Sequence, residues 1–127
     1  MTMIDRAFGI SPHVLGIRSD RFGLITSNLA NADTPGYKAV DIDFQAAMTR
    51  AVGTQDGLQR SHDRHLGISR LGGDVSYRTP TQRSLNGNTV ETDFEHSEFM
   101  DNAIRYQASL NFLNGSIKSM LLALKGE

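Results

Sequence analysis

Phe99, Ala103, Tyr106, Leu110, Leu113, Ile117, Met120 and Leu124 follow one another with gaps of four and three residues in strict alternation. Only an α-helix gathers such positions into one stripe. A period held at 3.5 instead of 3.6 favours a supercoiled seam against a second helix. No Pro interrupts residues 92–125. Helical throughout, they would run about 50 Å at 1.5 Å per residue, longer than the roughly 30 Å across a small domain. Asp93, Glu95, Glu98 and Asp101 crowd the start and Lys118 and Lys125 the end, as the helix dipole prefers. Thr92-Asp93-Phe94-Glu95 has the spacing of a capping box. Such a helix must find a partner.

The chain offers one between about residues 12 and 32. Ser11 as N-cap and Pro12 at the first helical position make a good start. Leu15, Phe22 and Leu29 lie seven apart, and Ile25 and Ala32 fill the intermediate positions. Arg18 interrupts the stripe, while Val14, Ile17 and Leu24 widen it. An isolated helix of this length is marginal in water, so it needs that packing. The expected fold is therefore mainly α: long N- and C-terminal helices paired as an antiparallel coiled coil, with a loop-rich insert containing short extended or β segments.

Between the helices the character changes. Pro35 disfavours helix at Thr34, and Pro35-Gly36 supplies the middle of a type II turn. Residues 39–44 alternate like a short extended segment, and residues 45–52 have room for two helical turns. From Gly53 to Asn88 the chain is polar and rich in turn signals, with isolated apolar residues (Leu66, Ile68, Leu71, Val75, Tyr77 and Leu85) spaced for a short hairpin or two. The expected division is residues 1–38 for the N-terminal helix and turn, 39–88 for the insert, and 89–127 for the C-terminal helix.

Composition narrows the function classes. With no Cys in 127 residues, there is no disulfide, zinc-thiolate site or catalytic thiol. A net charge of −1 gives no electrostatic case for nucleic acid or a membrane surface. Met1 to Phe8 lacks a basic region followed by an apolar core, so no cleaved secretory signal is expected. His62-Asp63-Arg64-His65 offers no obvious third metal ligand and reads as a solvated loop. Asp41 and Asp43 share a face of an extended segment, but no general acid partner or cleft is marked beside them. The glycines lack the strand-to-helix context of a phosphate loop. No catalytic, metal or cofactor residue is expected, nor a small-molecule substrate; the chain reads as a structural protein, not an enzyme. Met100, Ile104, Phe112, Leu121 and Leu122 fall outside the seam, and one partner helix cannot cover them all. Apolar surface of that kind marks an interaction face.

Three stretches resemble a known family. Ser27 to Lys38 (SNLANADTPGYK) is similar to the ASNIANADTPGYKA signature of flagellar rod proteins, with Asn28, Asn31, Thr34, Pro35, Gly36 and Tyr37 as its turn residues. Asp41-Ile42-Asp43-Phe44 follows it as RDIDF does there. Leu85 to Glu91 (LNGNTVE) and Asn102 to Gln107 (NAIRYQ) resemble the DGNTVD and NALRYQ of the same proteins, with Glu91 in place of the more usual Asp. These stretches follow one another in the expected order along the chain. The sequence thus resembles the flagellar axial rod and hook protein family of bacteria, and within it the proximal rod type.

The resemblance implies a structural subunit of the basal-body proximal rod. Such a subunit polymerises through its terminal helices into the drive shaft that links the MS ring and export gate to the distal rod and hook. It implies export through the flagellar type III apparatus. The implied partners are other copies of the chain, other flagellar rod proteins, a FliE-type adaptor, the MS ring and the export gate, with no nucleic acid. On this reading Leu15, Phe22, Ile25 and Leu29 meet Phe99, Tyr106, Leu110, Leu113, Ile117, Met120 and Leu124 in the seam, and the five surplus apolar residues face other subunits. A neighbouring proximal rod subunit is the alternative within the family. A cytosolic coiled-coil adaptor or export chaperone is one outside it, and would have the helices without the turn signature at 31–38.

Overall fold

Helix α1 (Ser11–Ala30) starts one residue earlier than the Ser-Pro spacing predicts. Ile10 already has helical backbone angles, and its carbonyl accepts the Val14 N–H at 3.1 Å. Ser11 is therefore inside the helix and caps nothing; Pro12 sits at its second position, where a missing N–H is still harmless. The computed structural model describes residues 8–53 and 75–126.

At the other end of α1, Asn31 caps the helix with its backbone N–H, and its side-chain amide donates to the Ser27 carbonyl at 2.8 Å. The chain then reverses through Thr34-Pro35-Gly36-Tyr37. The Tyr37 N–H donates to the Thr34 carbonyl at 3.3 Å, and Gly36 has φ +73°. That is the type II turn expected from Pro-Gly, which needs a positive φ at its third residue. The turn delivers the chain into strand β1 (Val40–Ile42) and helix α2 (Phe44–Gly53).

Strand β2 (Val75–Tyr77) pairs antiparallel with β1, in the register Val40 to Tyr77, Asp41 to Ser76 and Ile42 to Val75. The apolar residues Val75 and Tyr77 thus pair with the extended segment at the start of the insert. Leu66, Ile68, Leu71 and the His62–His65 cluster lie outside the described residues.

Helix α3 (Thr92–Lys125) is 34 residues long. Its capping box does not form. Glu91 takes the N-cap position, and Thr92 is the first helical residue. The Glu95 carboxylate does not turn back to the helix end, because it is drawn inward to Asn28 and Arg78. Gly126, at φ +73°, closes the helix by donating to the Leu122 carbonyl at 3.0 Å.

Helix α1 packs against α3. Asn28 meets Glu95, Phe22 meets Phe99 and Tyr106, and Arg18 offers its carbonyl to Asn102. The partners descend along one helix as they ascend along the other. Phe22 touches both rings edge-on, at 5.1 Å and 5.9 Å between centroids. The fold is thus mainly helical, with one long C-terminal helix and a two-stranded sheet beside the helix pair.

The interior is unusually polar. Among the described residues, the buried apolar side chains are Ile25, Ala39, Ile42 and Ala47; Asn28, Asn88, Glu95 and Asn102 are buried as well. With so few apolar groups inside, each one counts. Ile25→Ala should destabilise the chain by about 3 kcal/mol, a large part of a small domain's stability. Urea unfolding followed by circular dichroism measures it; a change below about 1 kcal/mol would mean that Ile25 is not a core residue.

Candidate functional site

Two stretches some fifty residues apart in sequence close on each other at one end of the helix pair. Around Gly36 and around Gly87 (φ +74°) the chain makes two tight turns, and a Cβ on Gly87 would lie 3.7 Å from the Gly36 Cα. The Gly36 N–H donates to the Asn86 carbonyl at 2.9 Å, and the Thr89 N–H to the Tyr37 carbonyl at 3.0 Å. Lys38 donates to the Gly87 carbonyl at 2.7 Å, and the Ala39 N–H to the Thr89 hydroxyl at 2.7 Å.

Asn88 is the clamp between them. Its buried amide nitrogen lies 2.9, 2.7 and 2.9 Å from the carbonyls of Asn31, Ala32 and Thr34, and its Oδ1 accepts the Val90 N–H at 2.7 Å. These carbonyls line the turn just after α1, where those of Asn31 and Thr34 also accept the N–H groups of Thr34 and Tyr37. Glu91 braces the approach: its Oε1 accepts from the Thr81 N–H, the Thr81 hydroxyl and the Gln82 N–H at 3.0, 2.5 and 3.2 Å. The Thr81 hydroxyl and those N–H groups hold the Glu91 carboxyl below its usual range.

Asn28 joins this turn unit to the helices. Its Nδ2 donates to the Val40 carbonyl at 2.8 Å and to Glu95 Oε1 at 3.2 Å. Its Oδ1 accepts the Val40 N–H at 3.1 Å and the Tyr37 hydroxyl at 3.4 Å. One amide side chain thereby pairs with both backbone groups of a single residue, as a neighbouring strand would.

Beside Asn28 lies a charge cluster drawn from four segments. Arg21 of α1 grips Asp41 of β1 with two bonds of 2.8 Å and donates to Glu98 of α3 at 2.5 Å. Arg78, just after β2, donates to Asp41 at 2.7 Å and to Glu95 at 2.5 Å, with its guanidinium 4.7 Å from the Phe94 ring centre. The charged side chains of the cluster are a quarter exposed or less, and Glu95 is fully buried.

Burial and pairing push the two inner carboxylates apart. For Asp41, burial raises the pKa, but the hydrogen bonds from Arg21 and Arg78, the Arg21 charge and the Ile42 N–H together override it and the net shift is downward. For Glu95, burial outweighs the Arg78 charge and the Asn28 hydrogen bond, and the net shift is upward. Arg21 is held still more firmly protonated by its hydrogen bonds to Asp41, which outweigh its burial. The Asp41 oxygens are occupied by two guanidinium groups, whereas Asp43 is exposed and its Oδ1 accepts the Ala46 N–H.

The expected seam and surface residues are distributed along the helices. Ile25 is fully buried, while Leu15, Phe22, Leu29, Phe99, Tyr106, Leu110, Leu113, Ile117 and Met120 are half-buried and Leu124 is 84% exposed. Met100, Ile104, Phe112, Leu121 and Leu122 are all exposed, between 50% and 75%. Of the turn residues, Thr34, Pro35 and Gly36 are exposed and Asn31 and Tyr37 half-buried. Sequence reasoning missed Arg21, Arg78, Asn88, Glu95 and Asn102. A signal existed for two of them: Glu95, Phe99, Asn102 and Tyr106 step by four, three and four, so both polar residues ride on the buried stripe.

Comparison with known proteins bears on the same region. The model of the family described as "Flagella basal body rod protein" matches residues 23–38, the second half of α1 and the Pro-Gly turn. The chain is 45% identical to the flagellar basal body rod protein FlgB of Aeromonas hydrophila, over 97% of this chain and 96% of that one. The chain belongs to the FlgB family. It is also 44% identical to the FlgB of Cereibacter sphaeroides over the full length of both chains. The FlgB of Salmonella typhimurium is 37% identical over 97% of this chain and 96% of its own. The chain is accordingly a structural subunit of the flagellar basal-body rod. No helix among the described residues is long and apolar enough to cross a membrane.

The cluster makes two predictions. Asp41→Asn leaves two largely buried guanidinium groups short of a counter-charge and should destabilise the chain by about 3 kcal/mol in urea unfolding. The second concerns pH. A carboxyl whose folded pKa is raised stabilises the fold at low pH, and that contribution is lost as pH rises through the folded value. Glu95 therefore costs stability increasingly above its ordinary 4.5, whereas the Asp41 contribution is present above 3.8 and lost only on going lower. Glu95→Gln removes the first effect. The melting temperature of the variant relative to the parent should shift in the variant's favour between pH 4.5 and about pH 7. A difference that stays flat or moves the other way refutes it.

Proposed function

We propose that this subunit polymerises through its terminal helices in the proximal rod, as part of the drive shaft linking the MS ring and export gate to the distal rod and hook. The observation that carries the proposal is the exposure of Met100, Ile104, Phe112, Leu121 and Leu122 on the longest helix of a rod-family chain. Large apolar groups left outside a chain with so small a core need cover from elsewhere. Neighbouring subunits supply it.

In this reading α1 and α3 form an antiparallel coiled coil, with Leu15, Phe22, Ile25 and Leu29 set against Phe99, Tyr106, Leu110, Leu113, Ile117, Met120 and Leu124. Residues 1–38 and 89–127 build the axial core, and residues 39–88 are an insert carried on it. The turn residues Asn28, Asn31, Thr34, Pro35, Gly36 and Tyr37 fix the end of the core. Partners are further copies of the chain, other rod proteins, a FliE-type adaptor, the MS ring and the export gate, reached by export through the flagellar type III apparatus. Torque passes through many packed interhelical contacts at once, so no single bond carries it.

Two classes of substitution test this. Leu110→Asp and Leu113→Asp put a charge into the seam and should abolish rod incorporation and motility. Phe112→Asp alters only the outer face: the chain should keep its helix content and its melting temperature to within a few degrees, yet lose incorporation into isolated basal bodies by about tenfold or more. A motile strain carrying Leu110→Asp, or full incorporation of the Phe112→Asp chain, would overturn the assembly mode.

A further inference from the structure

The tight turn at Gly87 carries a reactive bond. The chain has two Asn-Gly pairs, Asn86-Gly87 and Asn114-Gly115. In such a pair the glycine has no Cβ to obstruct its nitrogen, which can approach the asparagine carboxamide closely. The fold places the two pairs in opposite surroundings. Asn114 and Gly115 lie inside α3, where the Gly115 N–H is committed to the carbonyl one turn back. Asn86 and Gly87 are exposed, in the turn that Ser84 opens. Among the described residues, the Gly87 N–H has only a long bond of 3.4 Å, to the Ser84 carbonyl. Asn86 Oδ1 accepts the Asn88 N–H at 3.1 Å, which folds the carboxamide back over the peptide joining Asn86 to Gly87. A donor on Oδ1 also polarises Cγ and stabilises the charge that develops on the oxygen when a nucleophile adds.

We propose that Asn86 is a modification site, at which the folded chain deamidates with its own Gly87 nitrogen as nucleophile and water as the second reactant. The Gly87 nitrogen bonds to Asn86 Cγ and the Cγ–Nδ2 bond breaks. The amide leaves as ammonia, with the proton that the Gly87 nitrogen gives up. Water then opens the succinimide at either carbonyl. Opening between the nitrogen and Cγ gives aspartate at position 86. Opening on the other side gives isoaspartate, whose main chain runs through Cγ. The two products differ in what they do to the turn unit. Aspartate keeps an oxygen for the Asn88 N–H and leaves the main chain as it was. Isoaspartate lengthens the main chain by a methylene. It also turns the carbonyl that accepts the Gly36 N–H at 2.9 Å into a charged side group. Asn88 is displaced with it, and its amide loses the carbonyls of Asn31, Ala32 and Thr34. The change accumulates with the age of the subunit and unlocks the 85–91 stretch from the end of α1.

Incubation of the full chain at neutral pH tests this. Ammonia release is followed, and isoaspartate is located by methyltransferase labelling with peptide mapping. Mapping is needed because Asp56-Gly57 can form the same product without releasing ammonia. In the folded chain, isoaspartate should appear at residue 86 at least about tenfold faster than at residue 114. In urea both pairs lose their surroundings, and the two rates should converge to within about threefold. Equal rates in the folded chain, or reaction at residue 86 only in urea, overturn the proposal. Asn86→Gln keeps an amide on a longer side chain that closes its ring far less readily. It should cut ammonia release from the folded chain at least about tenfold, and an unchanged rate overturns the assignment. The aged chain, enriched in isoaspartate, should melt about 5 °C or more below fresh protein, while Asn86→Asp stays within a few degrees of it. An aged chain that melts with the fresh one, or an Asn86→Asp variant that melts as low as the aged chain, overturns the unlocking.

Discussion

Two guanidinium groups holding three carboxylates keep four separate segments in register. Arg21 arrives on α1, Asp41 on β1, Arg78 just after β2, and Glu95 and Glu98 on α3. Ions of this kind are expensive to remove from water unless each is paired and hydrogen-bonded. The pairing can be completed only when all four segments are in place together. A one-residue slip of β1 would turn Asp41 to the other face and strand both arginines. Asn28 adds a neutral constraint of the same type, because its amide fits one backbone residue, Val40, at both ends. Apolar contacts alone, with Ile25, Ala39, Ile42 and Ala47 as the buried set among the described residues, would tolerate several registers.

This division of labour explains what was legible in the sequence. Helix identity follows from period, and the stripe from Phe99 to Leu124 needed no tertiary information. The Pro-Gly turn was equally local, since Gly36 has the positive φ that its position demands. Illegible features were those whose cause lies elsewhere in the chain. Thr92-Asp93-Phe94-Glu95 has the composition of a capping box, but the pull of Arg78 and Asn28 on Glu95 outcompetes the helix end. Val75 and Tyr77 find their partners on β1, far back in the chain. Asn88 carries no periodic signal at all; its role exists only because Asn31, Ala32 and Thr34 expose carbonyls at the end of another element.

The turn signature acquires a physical meaning from the same geometry. Its residues do more than reverse the chain. Asn28 reads the edge of β1, Asn31 satisfies the last turn of α1, and Gly36 offers its N–H to the Asn86 carbonyl. The stretch from Leu85 to Glu91 is the complementary half, so two separated motifs are one structural unit. A unit tied this densely is stiff, and it holds the start of α3 at a fixed distance from the end of α1.

Stiffness at that end and exposure along α3 belong together. Asn28, Glu95 and Asn102 lie inside while Met100, Ile104 and Phe112 lie outside, an inversion that folding of one chain alone would not favour. Polar groups buried in good geometry specify an arrangement more than they stabilise it. Apolar groups left outside stabilise only when a neighbour covers them. The chain therefore divides the two tasks. Its internal bonds set the shape, and on the assembly proposed above the free energy for holding that shape comes from contacts between subunits. Load spread along a helix some 50 Å long is shared by every turn that touches a neighbour.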